Sequence, residues 1–111
     1  MLKFDEHTLG DIGISTITLA ELYFGAYKSQ RRAQNQQAIE QFLLPLTIVE
    51  FDYQAANTYG NIRAALEKQG IPIGPLDMLI AAQAVSLNVT LVTNNTKEFA
   101  RIPNLTVVNW A

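Results

Sequence analysis

Apolar positions along this chain come in blocks, and each block has its own period. "DIGIS" (11–15) is a short apolar run that predicts a strand ending near Ser15. "TLAELYFGAYKS" then puts Leu19, Leu22, Tyr23 and Ala26 at helical spacing. "QNQQAIEQFLLPL" predicts a second helix, stopped by Pro45. "TIVEFD" is rich in branched residues and predicts a strand. "QAANTYGNIRAALEKQG" predicts a long helix with Ala56, Tyr59, Ile62 and Leu66 on one stripe and Gly70 as its C-cap. After the loop "IPIGP", "LDMLIAAQAVSLN" is apolar on every face, which predicts a buried helix ending at Asn88. "VTLVTN" barely alternates and predicts a strand covered on both faces. "TKEFARI" predicts a short helix and "LTVVNW" a last strand. The first ten residues are polar, show little pattern and suggest no element.

Strands that alternate with helices predict an α/β domain, a parallel sheet with helices on both sides. The length of 111 residues predicts a single domain spanning 1–111. In such folds ligands bind beyond the C-terminal ends of the strands, where helix N-termini converge. A hydrophobic fraction of 49% and a charged fraction of 16% suit a packed core. The net charge of −2 argues against a grip on nucleic acid spread over the whole surface, though a local patch or a metal-assisted site remains open. With no cysteine there is no disulfide, thiolate metal site or Cys nucleophile, which suits a reducing compartment. No run is long enough to span a membrane and "MLKFDEHTLG" has no apolar signal region, so the expectation is a cytoplasmic protein.

Three acids stand at three helix mouths. Glu21 follows "DIGIS", Asp77 follows Pro75, and Glu98 follows "VTLVTN". Each has a structural reading. Thr18–Glu21 and Asn95–Glu98 both fit a capping box, and any acid in a first turn answers the helix dipole. Together they suggest something else. Three carboxylates at neighbouring strand ends repel each other, and one is pushed toward protonation unless a cation joins them. Mg²⁺ takes one or two carboxylates and retains waters. It activates water and neutralises charge on a phosphodiester. The pattern therefore points to metal-assisted phosphodiester hydrolysis.

"ISTITLAELYFG", "IPIGPLDMLIAAQAV" and "LVTNNTKEFARIPNLTVVNW" resemble, in order and spacing, the conserved segments of the PIN-domain ribonucleases, in particular the VapC-type toxins of bacterial toxin–antitoxin pairs. The likeness runs from about residue 12 to 110. It implies a three-layer α/β/α PIN-like fold and cleavage of RNA with Mg²⁺ or Mn²⁺. It implies Glu21, Asp77 and Glu98 as active-site carboxylates and metal ligands, with Asp77 the main one. It implies that Thr93 and Asn94 orient waters, that a cognate antitoxin closes the groove, and that the chain forms a homodimer.

One departure bears on activity. The family opens with a central apolar strand ending in an aspartate, typically "DTN", and no such segment is found here. Asp5 follows a run too short and polar to be that strand, and Asp11 belongs to the next element. The expectation is an N-terminally truncated PIN-like domain, its central first strand absent and its sheet left with unpaired edges. The activity is then a VapC-type endoribonuclease impaired by the missing acid. The alternatives are a catalytically dead binding or dimerisation module and a truncated remnant.

The other candidates read first as structure. "KSQRR" (28–32) could touch phosphate, but cations at a helix end also answer the dipole. Arg63 could hold phosphate bidentately, or simply lie on a helix surface. Tyr23, Phe24 and Tyr27 could stack bases, yet a core or dimer-face stripe is the plainer reading. Trp110 reads as packing, and His7 as a terminal residue and no general base. A dehalogenase-type phosphatase would need a D-x-D pair, which is absent, and there is no Gly-rich phosphate loop.

Overall fold

The computed structural model describes residues 3–6, 11–71, 73–93 and 95–109. Its elements are β1 (Lys3–Glu6), β2 (Asp11–Ser15), α1 (Thr16–Lys28), α2 (Arg32–Leu43), β3 (Thr47–Val49), α3 (Tyr53–Gln69), α4 (Pro75–Leu87), β4 (Thr90–Thr93), α5 (Thr96–Phe99) and β5 (Val107–Asn109). The sheet order is β3-β2-β1-β4-β5. The pairs β2–β3 and β4–β5 are parallel, as the alternation of strands and helices predicts.

The centre of the sheet differs from the expectation. Residues 3–6, which show no pattern in sequence, form β1, and β1 fills the middle position. It runs antiparallel to both neighbours, with Phe4 opposite Gly13 on one side and Leu91 on the other. The α/β domain is therefore built on a mixed sheet, and the gap expected between β2 and β4 is closed. The reason is chain length. Four residues separate β1 from β2. A connection that short can join only antiparallel strands, because a parallel crossover needs a dozen residues or more. Backbone groups of β2 and β4 that face one another across a gap need partners, and the backbone of a mostly polar segment supplies them as well as that of an apolar one would.

Helix ends follow local chemistry. Asp52 caps α3 by accepting from the Ala55 N–H at 2.9 Å, and Gly70 ends that helix at φ 71°. Pro75 opens α4, and Asn88 closes it in the left-handed region at φ 56°. The buried stripe of α3 is Ala55, Ile62 and Leu66, with Tyr59 half-buried; Ala56, expected inside, is exposed. Three of the four expected positions face inward, and at the first turn Ala55 takes the place of Ala56. The core joins Ile62 and Leu66 of α3 to Met78, Ile80, Ala81, Ala82 and Ala84 of α4, and extends to Leu91 and Phe99. The small α4 residues let the two helices approach closely. That packing holds the mouth of α4 in place.

Candidate active site

Gly74 is the N-cap of α4 and offers no side chain to the helix. Asp77 stands at the third helical position. In a capping box an acid there accepts the N–H of the cap residue. Here the Gly74 N–H donates instead to Glu98 Oε1, at 3.3 Å. Among the described residues no donor reaches the Asp77 carboxylate. Asp77 Oδ2 lies 3.8 Å from where a Cβ on Gly74 would stand, an ordinary contact that places the carboxylate beside the cap residue. The capping role available to Asp77 is thus taken by an acid from another helix.

Glu98 reaches that N–H from α5, whose position is set by the turn after β4. Thr93, 2% exposed, accepts the Asn95 N–H through Oγ1 at 3.0 Å. Asn95 Nδ2 then donates to Glu98 Oε2 at 2.7 Å. The capping box expected over Asn95–Glu98 does not form, because the Asn95 N–H goes back to Thr93 and its side chain makes no cap bond. Both Glu98 oxygens are instead spent on holding the α5 start against the α4 mouth. An open cleft of about 570 Å³ lies there, lined by Ile73, Gly74, Asn95, Lys97, Glu98 and Arg101.

Glu21 approaches from the other side. Helix α1 starts at Thr16, capped by Ser15, whose Oγ accepts the Ile17 N–H at 2.9 Å. Glu21 therefore lies in the second turn, and the capping box expected over Thr18–Glu21 is not made. Thr18 is inside the helix, with its buried Oγ1 unpaired among the described residues. Glu21 is exposed and lines a second groove with Ile17, Ala20, Phe24 and Leu76. Leu76 immediately precedes Asp77.

Charge ties the three acids together. The Asp77 carboxyl is raised above the usual carboxylate range, first by burial, then by the negative charges of Glu98 and Glu21. No cation offsets them at Asp77. A half-buried carboxylate that repels two others and accepts no hydrogen bond suits a hard divalent cation held by few carboxylates and several waters. Among the described residues no group of three acidic, His or Cys side chains is placed to hold a metal ion. Asp77 with one further carboxylate and waters is a donor set of the kind Mg²⁺ accepts, and not one for an ion that needs a full protein shell.

The remaining candidates separate. Arg63 lies on the exposed side of α3, its Nε donating to Glu67 Oε1 at 2.9 Å and its Nη1 to the Tyr59 hydroxyl at 3.1 Å. No contact brings it to the acids. Asn94, His7 and Trp110 lie outside the described residues. Tyr23 is half-buried while Phe24 and Tyr27 are exposed, so the three α1 aromatics do not form one core stripe within this chain. Sequence reasoning passed over Gln83. Its side chain is buried, accepts from Ser15 Oγ and donates to the Val49 carbonyl at 3.2 Å, which ties α4 to the ends of β2 and β3. The signal was there: a lone amide inside an apolar helix must find partners.

A family model for the PIN domain matches residues 2–105. Ribonuclease VapC2 of Rickettsia felis is 50% identical over 99 residues, which cover 89% of this chain and 74% of that protein. The tRNA(fMet)-specific endonuclease VapC of Shigella flexneri is 43% identical over 102 residues, covering 92% of this chain and 77% of that one. The crystal structure of VapBC2 from Rickettsia felis, bound to a DNA fragment from its promoter, superposes with a TM-score of 0.86 at 48% identity, covering 89% of this chain and 74% of that one. Among the described residues no helix is long and apolar enough to cross a membrane.

Proposed function

Because the chain belongs to the PIN-domain family, among its VapC-type members, we propose that it is an Mg²⁺- or Mn²⁺-dependent endoribonuclease. The observation that carries this reading is the state of Asp77. Its carboxylate is released from capping, meets no donor among the described residues, and is raised by burial and by Glu98 and Glu21. Asp77 would be the principal ligand. Glu21 and Glu98 would face it across the two grooves and hold the ion's waters, and Glu98 keeps its angle through Gly74 and Asn95. A bound ion would activate water and neutralise charge on the phosphodiester. Thr93 fixes the turn that presents Glu98 and, with Asn94, would orient water in the cleft. Arg63 has no part in the proposal, because its partners hold it on α3.

Relatives are known as complexes with an antitoxin, VapBC. We extend that to this chain: a cytoplasmic toxin, homodimeric, its groove closed by a cognate antitoxin. A transfer RNA pool is the first substrate to test, since one relative is named for a transfer RNA. The purified chain should cut it with Mg²⁺ or Mn²⁺ present, and should stop with a chelator or with Asp77→Asn. Equal cleavage by wild type and Asp77→Asn would overturn the proposal.

A second reading has its own observation. Both Glu98 oxygens are engaged by protein donors, and the described acids do not close a cage. A PIN-like binding module that no longer cuts RNA would look the same. No cleavage under any metal, in a chain that folds cooperatively, would favour it.

A further inference from the structure

Helix α1 carries two aromatic rings that the acid site does not use. Phe24 is 65% exposed and Tyr27 57% exposed, so neither ring is packed in this chain. Each ring holds a cation. Lys28 Nζ lies 5.9 Å from the Phe24 ring centre, and Arg32 Cζ lies 5.5 Å from that of Tyr27. The Arg32 guanidinium is also fixed from behind, with Nη2 donating to the Tyr27 carbonyl at 3.2 Å. From Leu22 to Ile39 the chain has three cations, Lys28, Arg31 and Arg32, and no acid, although its net charge is −2. The patch is continuous with the acids. Phe24 shares a groove with Glu21 and Leu76. Glu21, Phe24 and Lys28 are spaced for one helix face and span about 10 Å.

We propose that this face of α1, with the turn into α2, is a subsite for single-stranded RNA, with bases stacking on Phe24 and Tyr27 and phosphates meeting Lys28, Arg31 and Arg32. It rests on the RNA-cleaving reading above and gives that site a second foothold on its substrate. The acids repel a polyphosphate strand, so a productive strand must be held from outside them. Exposed rings flanked by cations are the means by which proteins hold single strands without reading sequence. Charge complementarity selects the occupant. A protein partner would have to bring its own acids, whereas a polynucleotide carries one negative charge for every base it stacks.

The test measures binding without cleavage. The full chain carrying Asp77→Asn is titrated in Mg²⁺ against fluorescein-labelled oligouridylate and oligoadenylate, read by anisotropy. Adding Phe24→Ala and Tyr27→Ala should weaken binding by roughly tenfold per ring. Adding Lys28→Gln and Arg32→Gln should weaken it and lower the slope of log affinity against log salt by about 0.7 per lost contact. All four positions are on the surface, and unchanged thermal midpoints establish that the variants fold. Affinity unmoved by both pairs overturns the proposal and leaves the patch to a protein partner. Loss with the cation pair alone, the rings making no difference, also overturns it, because a general electrostatic attraction then suffices. The two proposals fail separately. A wild-type chain that never cuts RNA but binds it through these residues refutes cleavage alone, and one that cuts at full rate with all four residues replaced refutes the subsite alone.

Discussion

Asp77→Asn separates a metal ligand from a helix cap, and the structure sets the sign. The change keeps the shape of the side chain and removes its charge. No donor is lost, since none reaches the carboxylate among the described residues. What is lost is attraction to the α4 dipole, about 0.3–1 kcal/mol for a first-turn acid. What is gained is relief from burial and from the repulsion of Glu98 and Glu21. The raised pKa gives the direction of that gain, burial first and the two acids after it, and a first-turn dipole term of a few tenths of a kcal/mol does not reverse it. In chelator at neutral pH the variant should therefore match wild type or exceed it by a few tenths of a kcal/mol, solvent screening the half-buried group. The midpoint would rise by roughly 1–3 °C for a domain of this size. The pH dependence carries the same sign. With a folded pKa above the unfolded one, the folded state binds more protons in that interval. Wild type is then at full stability below the ordinary carboxylate pKa and loses stability as pH rises through the raised value. Asn does not titrate, so its advantage should grow from acid to neutral pH and then level off. Mn²⁺ should reverse the order, because binding at about a hundred times Kd stabilises the wild type by about 2.7 kcal/mol and leaves the variant unmoved. Thermal unfolding across pH, with chelator and with Mn²⁺, reads all three effects. A metal-free variant less stable than wild type by about 0.5 kcal/mol or more would show that Asp77 serves the helix and would refute the argument.

Two further substitutions probe the frame around the site. Gln83→Leu leaves the Ser15 hydroxyl and the Val49 carbonyl without their partner, and should cost about 2–4 kcal/mol in urea unfolding; a cost near zero would mean that water replaces the amide. Thr18→Val removes a buried hydroxyl that has no partner among the described residues, and should stabilise by about 0.5–1 kcal/mol; a loss of that size would reveal a hydrogen bond to Oγ1.

The sequence by itself determined the elements and the candidates. Nine of the ten elements carry a local signal: a helical or strand-like run, Pro45 and Pro75 at helix boundaries, Gly70 and Asn88 as stops. Glu21 and Glu98 were legible because each follows a strand, and strand ends in α/β folds gather in one place; Asp77 was legible as the acid that opens an apolar helix. Only the tertiary structure decided β1, since "KFDE" has no apolar pattern and becomes a strand because the sheet on either side needs partners. Only it decided which acid caps what. In sequence each acid pairs with the residue three before it. In the fold Ser15 takes the cap of α1 and Glu98 takes the N–H at the mouth of α4. Asp77 is left without a donor among the described residues, in the field of two other carboxylates. Local spacing can name a hydrogen bond that a residue is able to make. Whether it is made depends on which competing group arrives from elsewhere in the chain, and packing settles that.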